Sequence, residues 1–178
     1  MKQKGFILIV SLIFLVIMTI LGIAMFRGVS MDETMSGNQR EKSRSVEAAQ
    51  GALDSAEGWL NNGNNTIYGG TMNSGVACAG TLATPTICST ALANPTTLPW
   101  ASFFAASGII PASSVSASGQ NTYVSQPQYY IQFLGYAPGS TNIALYQVTA
   151  TAQGGNSTAT SVIQAVYQVQ NLVHDPSL

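Results

Sequence analysis

Residues 6–26 read FILIVSLIFLVIMTILGIAMF, 21 residues without a charge. A helix crossing the hydrocarbon core of a bilayer needs about 20 residues at 1.5 Å each. The apolar run of a cleaved secretory signal is shorter, about 7–15 residues, and closes on small residues. This one closes on Met25, Phe26 and Arg27. A soluble helix of this length would carry a polar face, and this run has none. It predicts a transmembrane helix. Lys2, Lys4 and the initiating amine precede it and Arg27 follows. That balance places the N-terminus inside and the rest of the chain outside.

Downstream, residues 27–60 predict an amphipathic continuation of the same helix, since no Pro occurs before Pro85. In SVEAAQGALDSAEGWL, Ala49, Ala52, Leu53, Ala56, Trp59 and Leu60 recur at three- and four-residue steps. That spacing makes one apolar stripe. Glu47, Asp54 and Glu57 fall largely off it, and Arg44 is spaced to pair with Glu47. Gly37–Asn38 is the point where a bend is expected. NNGNN at 61–65 stops the helix. Half of the helix would then lie in lipid and half would lay its stripe on a head domain.

The charges stay close to this helix. All six basic residues precede residue 45, and six of the seven acidic residues lie between Asp32 and Glu57. From Gly58 to His174 there is no Asp, Glu, Lys or Arg. Only 7% of the 178 residues are charged, against roughly 25% in an average soluble domain. The gap argues against hard-cation sites, paired-carboxylate chemistry and a nucleic-acid surface in the head. A head without charges can meet several neighbours without repulsion and with little dependence on salt; the alternative is compositional drift in a secreted protein.

Residues 61–126, rich in Asn, Gly, Ser, Thr, Ala and Pro, read as loops with short strands, with Trp100, Phe103 and Phe104 as candidate core plugs. Cys78 and Cys88 enclose nine residues. In an oxidising compartment they would pair; the alternative is two unlinked small residues. Two Cys without a nearby His cannot fill a tetrahedral zinc shell, so no metal or cofactor is expected. In residues 127–172, QYYIQFLGY, NIALYQVTATAQ and ATSVIQAVYQVQ are β-rich runs separated by the turn compositions APGST and GGNST. The last run puts Ile163, Ala165, Tyr167 and Val169 on one face and Val162, Gln164, Val166 and Gln168 on the other. The expected fold is α+β: a long N-terminal helix packed on a small antiparallel sheet, one face of it wetter than the other.

MKQKGFILIVSLIFLVIMTILG resembles the leader and helix of type IV pilins: a short basic leader, Gly5, then a helix opening with Phe6. The resemblance implies that residues 1–5 are a leader cut after Gly5 by a prepilin peptidase, with methylation of Phe6. The continuation resembles the PilX-type minor pilins through Glu33, Met35, Gly37, Asn38, Arg40, Ala48, Ala49, Ala52, Leu53, Ala56 and Glu57. The C-terminal strands resemble the family's closing strands, while the middle shows no such likeness. The sequence departs from ordinary pilins at Val10, where the resemblance implies a glutamate that neutralises a neighbour's N-terminal amine inside the fibre. It also lacks the Pro that kinks many pilin helices, leaving Thr19 and Gly22 as softer points.

The missing glutamate argues against a major pilin and for a role in initiating assembly, at the fibre tip, or both. The resemblance implies these partners: other minor pilins, the major pilin, the peptidase, the inner-membrane assembly platform, a tip adhesin, and membrane lipid before assembly. No direct contact with nucleic acid is expected. A tip pseudopilin of type II secretion and a membrane-anchored periplasmic binding protein are the alternatives. No catalytic residue is expected: His174, the one His, stands beside Asp175 and Pro176 near the end, away from any held nucleophile. The sequons Asn64-Asn65-Thr66 and Asn156-Ser157-Thr158 lie in Asn/Thr-rich loops where chance matches are common. Tyr123, Tyr129, Tyr130, Tyr136, Tyr146 and Tyr167 make either a binding face or half-buried sheet positions.

Overall fold

The run without Pro from Phe6 to Trp59 forms one helix, α1, of 54 residues in a computed structural model that describes residues 6–67, 71–116 and 122–170. Its backbone stays helical through Thr19, Gly22, Gly37 and Asn38, so neither the softer points nor the expected bend interrupts it. The helix closes where expected. A π-helical turn, Leu60–Asn64, carries Gly63 at φ +84°, and Asn64 Nδ2 caps the end by donating to Trp59 O at 2.7 Å. The leader, residues 1–5, lies outside the described residues, as do residues 171–178 with His174 and Asp175.

The chain divides into two units, Met1–Arg40 and Glu41–Leu178. In the first, Phe6 to Leu21 are exposed on every side of the helix.

The second unit is helix plus sheet. After α1 come β1 (Thr66–Ile67) and β2 (Thr71–Met72), a small antiparallel pair. Then follow β3 (Gly80–Leu82), β4 (Ile87–Cys88), β5 (Ser102–Ala105), a 3₁₀ turn at Ala112–Ser114, β6 (Gln128–Tyr136), β7 (Ile143–Gln153) and β8 (Thr160–Gln170). The order across the larger sheet is β3-β5-β6-β7-β8, with β4 also paired to β6. The α+β layout is the one expected, but the sheet is mixed rather than antiparallel. β3 runs parallel to β5 and β4 parallel to β6, while the long strands β6, β7 and β8 form the antiparallel meander. The short strands β3 and β4 come from the region read as loops with short strands. They are two or three residues long, too short to show a period, and their pairing is decided by distant partners.

The core follows the predicted stripe. Ala49, Ala52, Ala56 and Leu60 are buried, joined by Ser45 and Ala48. They pack with the inward residues of the sheet, among them Tyr129, Ile131, Ala144, Tyr146, Val148 and Ala150. These alternate along each strand, as a pleated strand requires. Ala side chains on the helix let it approach closely, and the strands supply the bulk. β8 keeps the predicted alternation, with Gln164, Val166 and Gln168 exposed and Ile163, Ala165, Tyr167 and Val169 partly buried. On the opposite face of the sheet Cys88, Trp100 and Tyr130 form a separate cluster with Phe103 and Val162 beside them. The loop-rich middle is therefore a second covering layer over part of the outer face.

Candidate functional site

The apolar part of α1 has little polarity left to show. Its two hydroxyls bond back into the helix: Ser11 Oγ donates to Leu8 O at 2.9 Å and Thr19 Oγ1 to Val16 O at 2.8 Å. Such back-bonds satisfy the hydroxyls where no water is present. The helix is long and apolar enough to cross a membrane by length and composition. Phe6 is the first of its described residues. Val10 is 44% exposed on a surface of Ile, Leu, Val, Phe and Met, so the expected glutamate position presents an aliphatic group. Gly5 lies outside the described residues.

The head is held to its own stretch of the helix by a polar latch that sequence reasoning did not find. Glu41 accepts a short bond from Gly155 N–H and pairs with Arg44, Nη1 to Oε1 at 3.0 Å. Arg44 donates from Nη2 to Thr122 O at 3.0 Å and lies 4.3 Å from the ring centre of Tyr123. Lys42 Nζ donates a short bond to Thr160 O, and the hydroxyls of Ser45 and Ser161 meet at 2.6 Å, both buried. These contacts join one helical turn to both ends of the β7–β8 turn and to residues 122–123. The predicted Arg44–Glu47 pair is not formed. Arg44 turns to Glu41, three residues the other way, because Thr122 and Gly155 lie on that side.

Two glycines make the latch possible. A Cβ at Gly154 would sit 2.6 Å from Glu41 O, and one at Gly155 would sit 2.7 Å from Glu41 Oε2. The sequence signal was GGNST, legible as a turn. Its demand for a bare backbone against a helix was not legible, because Glu41 and Gly155 are 114 positions apart.

Cys78 and Cys88 are joined, with Cα atoms 5.4 Å apart. The bond ties the segment before β3 to β4, whose Cys88 is fully buried. Trp100 is buried, as expected of a core plug, and donates from Nε1 to Pro95 O at 2.9 Å. Both sequon asparagines do structural duty: Asn64 caps α1, and Asn156 Oδ1 accepts from Thr158 N–H inside the turn.

Three of the six described tyrosines are core, and Tyr123 and Tyr167 are half-buried. Tyr129, Tyr130 and Tyr146 are buried, while Tyr136 is 41% exposed. Burial pushes Tyr129 up to about 12 against a hydrogen bond from Ser55. Burial, with Tyr136 close by, pushes Tyr146 up to about 12. Burial, reinforced by the Glu57 carboxylate, does the same to Tyr167. Each stays a neutral hydroxyl at physiological pH. Tyr146 uses its hydroxyl to clamp the chain after the helix, reaching Asn65 O at 3.1 Å and Asn73 O at 2.9 Å.

The chain matches two protein-family models: PilX N-terminal over residues 4–54, and Type IV pilus assembly protein PilX C-term over residues 38–169. The second runs through the middle region, beyond the two ends that carry the resemblance in the sequence. No curated protein and no solved structure matches. The chain belongs to the PilX family of type IV pilus minor pilins.

Proposed function

We propose that this PilX-family chain acts in the initiation of pilus assembly, in the tip complex of the fibre, or in both. It would do so through packing of α1 with other pilin helices and through contacts between heads. Its work is recognition and packing rather than catalysis. Before assembly, α1 holds it in the inner membrane with the N-terminus cytoplasmic. The prepilin peptidase cuts after Gly5 and Phe6 is methylated. The head then meets other minor pilins, the major pilin and a tip adhesin, drawn in by the assembly platform.

The observation that carries this reading is Val10. A buried charge without a partner is costly, so a subunit stacked below another needs a group to neutralise its neighbour's amine. Val10 sits on a stretch of helix without a charge from Phe6 to Phe26, which supplies no such group. That suits the one subunit with nothing above it. The uncharged head fits the same role, since its contacts would be little screened by salt. Gold-labelled antibodies against the head, applied to intact fibres, test the position. Label at one end of each fibre is expected, and label along the shaft would overturn the tip assignment.

A further inference from the structure

α1 closes one face of the sheet, and the disulfide-bearing segment closes part of the other. Where that cover ends, at the start of β6 and the end of β7, lies a cavity of about 260 Å³. Its lining includes Pro99, Ser125, Gln126, Gln128, Thr151 and Gln153. Three of these are primary amides and two are hydroxyls, and no lining residue is charged.

The frame is held in place. Gln128 pairs with Thr151 across the ladder, and Ala106 N–H donates to Pro127 O at 2.8 Å. Several lining groups are oriented by bonds of their own. Ser125 Oγ donates to Gln153 Oε1 at 3.2 Å, Thr151 Oγ1 to Ser161 O at 3.0 Å, and Gln126 Nε2 to Ile110 O at 3.2 Å. Gln126 Oε1 has no donor among the described residues but is closed to solvent. One capacity is left facing the cavity: the side-chain amide of Gln128 forms no hydrogen bond among the described residues.

We propose that this cavity binds a single neutral sugar ring, as the end of a glycan chain presents it. A pyranose offers a rim of hydroxyls, each both donor and acceptor. A primary amide answers two neighbouring hydroxyls at once, accepting from one and donating to the other. The Pro99 wall suits the ring's C–H face. An acidic sugar or a phosphate is disfavoured, because no lining cation would repay its desolvation. The cavity lies just below the roughly 300–1,000 Å³ of sites that take drug-sized ligands. One rigid ring fits that size and loses little conformational entropy on binding. An extended peptide would need a longer groove. The inference does not depend on where in the fibre the chain sits.

The test is ligand-detected saturation-transfer NMR on the full chain in detergent micelles. The probes are the methyl glycosides of glucose, galactose, mannose and N-acetylglucosamine, with glucuronate and a Gly-Asn-Gly tripeptide as competitors. At least one glycoside should bind, with a Kd that does not change between low and high salt. Gln128→Ala should raise that Kd about tenfold, the loss of roughly one well-made hydrogen bond. The isosteric Gln128→Glu should weaken it at least as much, and guards against a folding defect in the first variant. Gln168→Ala, on an exposed position of β8, should leave it unchanged. The proposal is overturned if no glycoside binds, if glucuronate or the tripeptide binds in preference, or if both Gln128 variants, folded by their melting curves, bind as the parent does.

Discussion

Replacing Gly154 with Ala puts a methyl group where the β7–β8 turn touches the helix. Its Cβ would lie 2.6 Å from Glu41 O, and real Cβ contacts stay beyond 3.0 Å, so turn and helix must part by at least 0.4 Å (3.0 − 2.6). The obstacle is helix backbone, which cannot rotate away as a side chain does. Such overpacking costs about 1–3 kcal/mol. The same retreat stretches the bonds of Gly155 to Glu41, Lys42 to Thr160 and Ser45 to Ser161. Losing part of one charge-assisted bond adds about 1 kcal/mol. A total of about 2–4 kcal/mol lowers the melting temperature by roughly 5–15 °C in a chain of this size. Gly155→Ala should cost somewhat less, because its nearest clash, at 2.7 Å, is with the carboxylate of Glu41, which can turn aside at the expense of its bonds to Gly155 and Arg44, while Thr122 O at 3.0 Å has only to give slightly. Gly58→Ala is the contrast. Its Cβ enters open space in the same helix, and helix propensity should raise stability by up to about 1 kcal/mol. Thermal melts of the full chain in detergent, followed by tryptophan fluorescence, measure all three. If Gly154→Ala melts within a degree of the parent, or shifts upward with Gly58→Ala, the latch is not formed as described.

Tyr146→Phe should cost about 1–2 kcal/mol, because the partly buried Asn73 O and the buried end at Asn65 O lose the hydroxyl that clamps them. A denaturant titration should show a lower midpoint with an unchanged slope. Tyr129, Tyr146 and Tyr167, each pushed up to about 12 from 10.0, keep their protons in the fold where the unfolded chain would release them. Their contribution to stability is therefore full below pH 10 and declines as pH rises from there through about 12. Ultraviolet titration of tyrosinate should show a high-pH phase from these three, and a single transition near the free value would contradict this. Reduction of Cys78–Cys88, ten residues apart, should remove about 2–3 kcal/mol of stability, measured by melting with and without a reductant.

Legibility in the sequence followed the length of the element. Residues 6–60 and the runs around β6, β7 and β8 are long enough to show a period: the helix stripe reads as Ala49, Ala52, Leu53, Ala56, Trp59 and Leu60, and β8 reads as two faces, one of them Ile163, Ala165, Tyr167 and Val169, while which face of β8 turns to the helix is decided by the packing. The short strands β3 and β4 are too brief to carry a period. They exist because β5 and β6 offer them partners, so the mixed character of the sheet was hidden. The latch was hidden for a related reason. Glu41 and Glu47 both stand three residues from Arg44, and only the distant Gly155 and Thr122 choose between them. Val10 takes its meaning from the resemblance to pilins, as a place along the helix where that resemblance implies a glutamate, rather than from any contact.

The measurement that bears most directly on the account is the mass of the mature N-terminal peptide, taken from sheared surface fibres and from membranes. The account predicts a peptide beginning at N-methylated Phe6 in the fibre fraction, which joins processing, membrane origin and incorporation in one result. A chain that keeps Met1 and the leader, found in membranes alone, would contradict it and leave an anchored protein with a pilin fold.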